Sequence, residues 1–170
     1  MSIGTLMADL VANIQSDCKD TLLPPEEGAP AFNQPVISLA LVRNTRGYLE
    51  RLVHQINGCY ENGWYDACAV MIRRFIEVLI IEAFEQHGLD GKIKNSQGDF
   101  LYLSDLVHQT LTEPSWNLSR STKSALPKLK DIGDKSAHSR RFNAVRSDID
   151  KVIPDLRVTA QEMIYLANFK

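Results

Sequence analysis

Three observations predict that this sequence forms an all-α fold, a bundle of five to six helices. Its 170 residues are 44% hydrophobic and 24% charged, a composition typical of one soluble globular domain. Apolar residues recur at spacings of three, four and seven along most of the chain, which is the period of an amphipathic helix. Strict alternation of apolar and polar residues, the pattern of a half-buried strand, does not occur over a comparable length.

The N-terminal residues differ from the rest of the chain. From Ile3 to Asp17 the apolar residues share one face of a helix, which predicts a short amphipathic helix. Residues 20–35 contain four prolines, and because proline removes a backbone donor and restricts its predecessor, this stretch is predicted to be a loop. We therefore expect an N-terminal helix and proline-rich loop over residues 1–36 and the main helical domain over residues 37–170.

The two longest helical patterns come first in the main domain. One helix is predicted over residues 37–62, ending before Gly63. A second is predicted over residues 64–87, with Gly88 as its C-terminal stop. Because the second helix is apolar almost all round, we expect it to be surrounded by other helices or by a partner chain.

A loop and a short helix follow. Residues 88–99 are rich in glycine and polar residues and are predicted to form a loop that tolerates change. A short helix is expected over residues 103–111, capped by Ser104 or by a residue just upstream. Pro114 bars its continuation.

Two further helices complete the predicted bundle. One is expected over Ser119–Ile132, either bent by Pro127 or beginning later than Ser119. The last is expected to be capped by Ser147 or Asp148 and to continue to about residue 168. Pro154 falls within this last pattern, and we expect it to be tolerated only near the first turns.

Charge is distributed unevenly along the chain. The net charge is -2 and the pI about 6.1, so the whole molecule has no basic field that would attract nucleic acid. Residues 1–36 carry one Lys against five Asp or Glu, a net charge of -4, whereas residues 120–146 carry eight Lys or Arg against two Asp, a net charge of +6. The basic segment is either a plain solvated face or a contact for phosphate or an acidic partner.

Metal, cofactor and membrane binding are not expected. The three cysteines, Cys18, Cys59 and Cys68, are odd in number and lack the spacing of a zinc site, so we interpret them as small apolar core residues. The chain has no phosphate-binding glycine loop and no catalytic serine or metalloprotease motif, and we expect no cofactor. A secretion signal and an apolar run of about 20 residues are both lacking, so we expect a cytoplasmic protein.

Two segments contain residues that are unusual for their surroundings. In the first, Arg73, Arg74 and Glu77 interrupt the otherwise apolar pattern over residues 64–87. Arg73 and Glu77 are four apart and share a helix face, and a charge inside a bundle is destabilising unless it is paired. We expect either a structural ion pair or an arginine that lines a polar cleft or a dimer seam.

The second segment runs from residue 130 to residue 141. Gly133 would allow another helix to approach closely. Asp134 and His138 are four apart, so on a helix they share a face, and His138 is either a structural hydrogen-bonding group or a catalytic one. The candidate binding residues of the two segments are Arg73, Arg74, Glu77, Lys130, Asp134, His138, Arg140 and Arg141.

Together the two segments resemble the family called domain of unknown function 4145. The shared pattern is a glycine, an aromatic residue and two small residues, then Arg-Arg-x-x-Glu, followed about sixty residues later by Ile-Gly-Asp-x-x-Ala-His. In this chain the pattern covers residues 63–77 and 132–138, and the resemblance extends over residues 40–168. That family belongs to the HEPN (higher eukaryotes and prokaryotes nucleotide-binding) superfamily. The resemblance implies a helical bundle that often dimerises, frequently in bacterial defence, restriction or toxin-antitoxin settings.

The resemblance also bears on catalysis. Ribonucleases of the superfamily use an arginine, four to six residues and then a histidine, which would match His138, with Asp134 as the polar residue. The arginine would fall at residue 131, 132 or 133, and none of these is an arginine. Without a cation there, the negative charge that develops at the scissile phosphate loses its main stabilisation. No catalytic residue is therefore expected, the alternative being His138 with Asp134 and a charge from Arg73 or Arg74.

The function that we expect is a non-enzymatic bacterial interaction domain that forms a homodimer and binds a protein or nucleic-acid partner. The homodimer is expected because residues 64–87 and 101–111 are more apolar than one small bundle needs. One alternative is a metal-independent ribonuclease that uses His138 with a nearby arginine. Another is a nucleotide or small-ligand binder with a polar cleft between its helices.

Overall fold

The structure of the chain is a computed structural model that describes Met7, residues 9–12 and residues 34–170. Within those residues the backbone is α-helical apart from one 3-10 turn and the connecting loops, and the β pairing is limited to an isolated bridge between Lys94 and Phe100. The predicted all-α bundle is therefore confirmed. No helix in the described part of the chain has the length and apolar character of a membrane span.

Six α-helices lie between residues 34 and 170. In chain order they are α1 (Leu39–Val42), α2 (Gly47–Glu61), α3 (Tyr65–Gln86), α4 (Leu103–Thr112), α5 (Arg120–His138) and α6 (Arg146–Leu166). A 3-10 turn, Asp90–Ile93, lies between α3 and α4.

Helix α3 lies at the centre of the bundle, and α2, α4, α5 and α6 all pack against it. Contacts within one chain therefore account for its apolar character on nearly all sides, and the helix gives no reason to expect a partner chain. This finding removes one of the two grounds for predicting a homodimer. The completely buried large side chains of α3 are Ile72, Phe75, Ile76, Leu79, Ile80 and Phe84.

The single long helix predicted over residues 37–62 is wrong, because the structure divides this stretch into α1 and α2. Asn44 has a φ of 66°, in the left-handed region that ends a right-handed helix. The Thr45 hydroxyl donates to the carbonyl oxygen of Val42 at 2.6 Å, and the Asn44 N–H donates to Glu50 Oε1 at 3.1 Å. Local hydrogen bonds of this kind compete with helix formation, and apolar periodicity does not reveal them.

Helix α5 is longer than predicted and ends at His138 rather than at Ile132. Ser119 is its N-cap, and the Ser119 hydroxyl accepts a hydrogen bond from the Thr122 N–H at 3.2 Å. This bond satisfies one of the backbone donors that a helix start leaves without a partner. In the sequence, glycine at position 133 indicates a turn, but the helix continues through it.

Proline occurs inside two of the helices. Pro127 lies within α5, and Pro154 lies within α6 beyond the first turns, where it was not expected. Both prolines are exposed, so the backbone hydrogen bond that each removes lies on the solvent side of its helix. At the start of α6, Asp148 Oδ2 accepts a hydrogen bond from the Val145 N–H at 3.2 Å, which caps the helix from its first turn.

The loop predicted over residues 88–99 is more ordered than expected. It contains the 3-10 turn, and Ile93 at the end of that turn is completely buried. This position is therefore part of the core and would not tolerate a polar residue. Helix α4 begins at Leu103, and its N-cap is Tyr102, which lies just upstream of Ser104 as the second alternative expected, although its side chain makes no capping hydrogen bond.

The N-terminal predictions lie mostly outside the described residues. Within the helix predicted over Ile3–Asp17, Met7 and residues 9–12 are helical. The proline-rich loop is described only at residues 34 and 35, and Cys18 is not described. The helix therefore stays a prediction over most of its length.

Candidate functional site

The two unusual segments of the sequence meet where α3 crosses α5. Arg73 Nε on α3 donates to Asp134 Oδ1 on α5 at 2.6 Å, and Lys130 Nζ donates to Asp134 Oδ2 at 2.6 Å. Arg73 Nη1 also lies 3.5 Å from Glu77 Oε2, so the pair expected from their spacing is present. Two cations and two carboxylates thus form one cluster, named here the α3–α5 ion network.

Gly133 makes this crossing possible. A Cβ atom at position 133 would lie 2.4 Å from Arg73 Cβ and 3.0 Å from the carbonyl oxygen of Ala69, closer than packed side chains approach. Because glycine has no Cβ, α5 lies directly against α3 at this point. The glycine brings the helices together, and Asp134, the next residue, binds Arg73.

The charges of the α3–α5 ion network stabilise one another. Burial alone would raise the pKa of Asp134, but hydrogen bonds from Lys130 and Arg73 outweigh this effect and hold that pKa below its ordinary value. Each side chain of the network is 25 to 30% exposed, so the network lies at the edge of the bundle. A carboxylate with a lowered pKa that is held by two cations is a poor base, and Asp134 therefore serves to join α3 to α5.

The adjacent arginine, Arg74, faces a different part of the molecule. It lines a cleft of about 390 Å³ between α2 and α3, and Arg51 lines the same cleft. Neither guanidinium has an ion-pair partner among the described residues. Arg74, and not Arg73, is thus the arginine that lines this polar cleft.

The cleft combines cations with an apolar floor. Glu82 is the one carboxylate among the described residues that line the cleft, and Arg46 Nε lies 3.7 Å from Glu82 Oε2. Burial raises the pKa of Glu82, and the nearby Arg46 offsets this only in part. We name this feature the Arg51–Arg74 cleft: within the described part of the chain its two arginines have no ion-pair partner, whereas its acid already has one. The residues that line it besides the two arginines are Tyr48, Leu52, Gln55, Val78, Ile81 and Glu82.

Arg51 is not among the predicted site residues, although the sequence contains a signal for it. Arg51 lies twelve positions before Gly63, and Arg74 lies eleven positions after it. Two antiparallel helices that are joined by a tight turn place residues at equal distances from the turn side by side. A helical hairpin of α2 and α3 with its turn at Gly63 therefore predicts that Arg51 and Arg74 lie side by side.

The other candidate residues lie at the end of α5 and just beyond it. His138, Arg140 and Arg141 are all exposed. In residues 34–170, none of their side chains makes an ion pair or a hydrogen bond. Asp134 has the spacing to reach His138, but both of its oxygens are bound within the α3–α5 ion network. Among the residues that the structure describes, His138 thus has neither a structural partner nor a base to orient it.

The described cysteines are not suited to covalent chemistry. Cys68 is buried and Cys59 half-buried, and burial raises the pKa of both thiols. Both thiols therefore stay protonated and poorly nucleophilic at neutral pH. Among the described residues, no group of three or more His, Cys, Asp and Glu side chains is arranged to hold a metal ion.

The fold and the site define the class of protein: an all-α bundle with a charged helix crossing and an arginine-lined cleft. Comparison with protein-family models, with curated proteins and with solved structures finds no match for this chain. What the chain does must therefore follow from its own side chains, since a helical bundle by itself does not define a function.

Proposed function

We propose that the protein is a non-enzymatic helical interaction domain that forms a homodimer and binds an acidic segment of a partner protein in the Arg51–Arg74 cleft. One observation carries the binding half of this proposal: two guanidinium groups line one cleft without an ion-pair partner among the described residues. Arginine binds carboxylates through two parallel hydrogen bonds, and a carboxylate-bearing segment would supply the missing partners.

The surroundings of the two arginines favour a protein segment over nucleic acid. A net charge of -2 gives no long-range attraction for a polyanion. The floor of the cleft, formed by Leu52, Val78 and Ile81, accepts aliphatic side chains. A helix with acidic and aliphatic residues on one face would match both the cations and the floor, and grooves between helices commonly receive such helices.

The resemblance to domain of unknown function 4145 supports the same class of function. It is also the ground for proposing a HEPN-like bundle, a bacterial source, a cytoplasmic location and a defence or toxin-antitoxin setting. The ribonuclease alternative is disfavoured, because the only carboxylate with the spacing to orient His138 is bound to Arg73 and Lys130.

Binding in the cleft is tested by fluorescence anisotropy with two labelled probes, a helical peptide that repeats Glu-Leu-Leu-Glu and a single-stranded RNA of matched length. We expect the peptide to bind the wild type and to lose affinity roughly tenfold to a hundredfold in Arg51→Ala/Arg74→Ala. The matched control, Arg43→Ala/Arg120→Ala, removes the same charge at exposed positions outside the cleft. Equal losses in both double variants, or a preference for RNA, would reject the cleft as a protein-binding site.

The homodimer is tested separately by light scattering. We expect a species of twice the 19.1 kDa chain mass at tens of micromolar. A species of 19.1 kDa alone would reject the dimer without bearing on the cleft.

A further inference from the structure

The outer face of α6 has an apolar groove that the proposed cleft does not involve. Leu41, Val158 and Tyr165 line it, and its volume is about 470 Å³. The side chains of Val158 and Tyr165 are 47% and 75% exposed. Apolar side chains that lie side by side on the solvent-exposed surface mark an interaction site. We name this feature the α6 groove.

Two cations adjoin the α6 groove, and neither has an ion-pair partner among the described residues. Lys170 lines the groove, and Arg157 lines the cavity that continues it. Both donate to backbone carbonyl oxygens of residues 35–40 over distances of 2.6 to 2.9 Å. Carbonyl oxygens are neutral acceptors, so the positive charges remain. Glu162 also lines the groove, but it already accepts hydrogen bonds from Ser119.

The N-terminal segment has properties complementary to this groove. Its sequence predicts an amphipathic helix over Ile3–Asp17, and the described part of that helix exposes an apolar face. Met7, Leu10 and Val11 are 64%, 58% and 51% exposed. Residues 1–36 carry a net charge of -4, from one Lys against five acidic residues. The apolar face thus matches the groove, and the acidic residues match its two cations.

The chain enters the body of the protein beside the α6 groove. Gln34 lines the same cavity as Arg157. The Asn57 side chain fixes this entry, since it accepts from the Ile37 N–H at 3.1 Å and donates to the Ile37 carbonyl oxygen at 2.9 Å. The sixteen residues at positions 18–33 can extend to at most about 55 Å. The predicted N-terminal helix can therefore reach the α6 groove of its own chain or of a neighbouring copy.

Among the described residues, Leu10 and Tyr165 both remain exposed, so the two apolar surfaces are not in contact within the chain. We infer that two copies of the chain exchange their N-terminal segments, each inserting Met7, Leu10 and Val11 into the α6 groove of the other. The inference rests on the homodimer proposed above and assigns the surface that forms it. Each acidic segment then lies beside the two cations of the other copy, and the reciprocal arrangement has the closed two-fold symmetry of most homodimers.

Two double variants of the full chain test this exchange by light scattering. The arm variant, Met7→Asp/Leu10→Asp, places charge on the apolar face of the N-terminal segment. The groove variant, Val158→Asp/Tyr165→Asp, places charge in the α6 groove. We expect each to weaken dimerisation by roughly a hundredfold or more, because charges replace the apolar centre of the interface. All four side chains are exposed in the single chain, so both variants should still fold, and their far-ultraviolet circular dichroism should match that of the wild type. Their Tm should fall only by the stabilisation that dimerisation gives the wild type.

Mixing the two variants distinguishes exchange between chains from packing within one chain. The arm variant keeps an intact groove and the groove variant keeps an intact arm, so a mixture restores one of the two contacts. We expect the mixture to contain a dimer that neither variant forms alone. Tyr102→Asp is the matched control, because Tyr102 is 83% exposed and lies outside the groove.

The outcomes separate the exchange from the proposed dimer. If light scattering gives the wild type a mass of 19.1 kDa alone, both the homodimer and the exchange of N-terminal segments are wrong. A dimer that persists in both double variants, or that Tyr102→Asp breaks in their place, overturns the exchange but leaves the dimer. Two monomeric variants that form no mixed dimer also overturn the exchange, since the segment then packs on its own chain.

Discussion

Arg73 and Asp134 are 61 positions apart in the sequence, and Arg73 Nε donates to Asp134 Oδ1 at 2.6 Å. This contact joins the two unusual segments of the chain at one helix crossing. Gly133 lies next to Asp134 at the point where α5 comes closest to Arg73, so packing and charge pairing occur together. The relationship explains why charged residues occur in a helix that is otherwise apolar: they bind the helix that packs against it.

Two adjacent arginines should differ in their effect on stability. Arg73→Ala leaves Asp134 with one of its two cations, and we expect a loss of about 1 to 2 kcal/mol in the free energy of unfolding at this partly exposed site. Arg74 is exposed and unpaired within the described chain, so Arg74→Ala should change that free energy by less than about 0.5 kcal/mol. Urea denaturation of both variants makes the comparison, and equal effects would contradict a structural role for the network.

Gly133→Ala should destabilise the protein although alanine is the better helix former. A Cβ at that position meets Arg73 Cβ at 2.4 Å, and forcing two helices apart costs about 1 to 3 kcal/mol. Gly58→Ala is the control, because Gly58 lies inside α2 and no atom lies within 4 Å of the place that a methyl group would take there. This control change should be neutral or stabilising by about 0.5 to 1 kcal/mol. Thermal denaturation that ranks the two variants in the opposite order would refute the close crossing.

The fold was largely predictable because apolar periodicity and helix-ending glycine and proline residues determine the backbone locally. Gly88 and Pro114 mark the ends of α3 and α4 within two residues of the observed ends. Local signals failed where a side chain or a neighbouring helix decided the backbone. The break at Asn44 depends on hydrogen bonds to the backbone, and α5 continues through Gly133 because that glycine lies against α3.

Apart from the Arg51–Arg74 pairing across the turn at Gly63, the site was predictable only within single helices. The Arg73–Glu77 pair follows from the helical period, which fixes residues four apart on one face. The same rule placed Asp134 beside His138, but Arg73 from another helix binds that carboxylate instead. Contacts between helices depend on the crossing angle and on the relative position of the two helices along their axes, which a single sequence does not specify.

Glu113 should contribute to the loss of folding stability at acid pH. It is buried at the end of α4, where hydrogen bonds from Lys92 and Ser115 hold its pKa at about 2, below the ordinary 4.5. A carboxyl whose pKa is lowered by folding stabilises the protein above its unfolded pKa, and this contribution is lost as the pH falls from about 4.5 through about 2. Glu113→Gln should therefore lower the Tm at neutral pH, and the difference from wild type should shrink over that interval. A constant difference down to the folded pKa would contradict this assignment.

RNA binding, where it is detected, should be weak and governed by charge. Arg140 and Arg141 are exposed and offer phosphate contacts without any defined geometry for bases. Arg140→Ala/Arg141→Ala should weaken binding equally for all sequences and reduce the slope of log affinity against log salt by about 2. Titrations at several salt concentrations measure that slope, and an unchanged slope would exclude this segment as the contact.

The purified protein should not cleave RNA. A metal-independent ribonuclease needs an acid or base near neutral pH, which His138 could supply, and a cation fixed at the phosphate, without which the barrier rises by about 3 to 4 kcal/mol. Residues 131–133 are not arginines, and within the described chain the His138 side chain has no ion-pair or hydrogen-bond partner. Because that side chain is exposed, His138→Ala should alter neither background cleavage nor, beyond about 0.5 kcal/mol, stability. Both proteins are assayed in EDTA, and turnover in the wild type that disappears in the folded variant would establish the ribonuclease in place of the interaction domain.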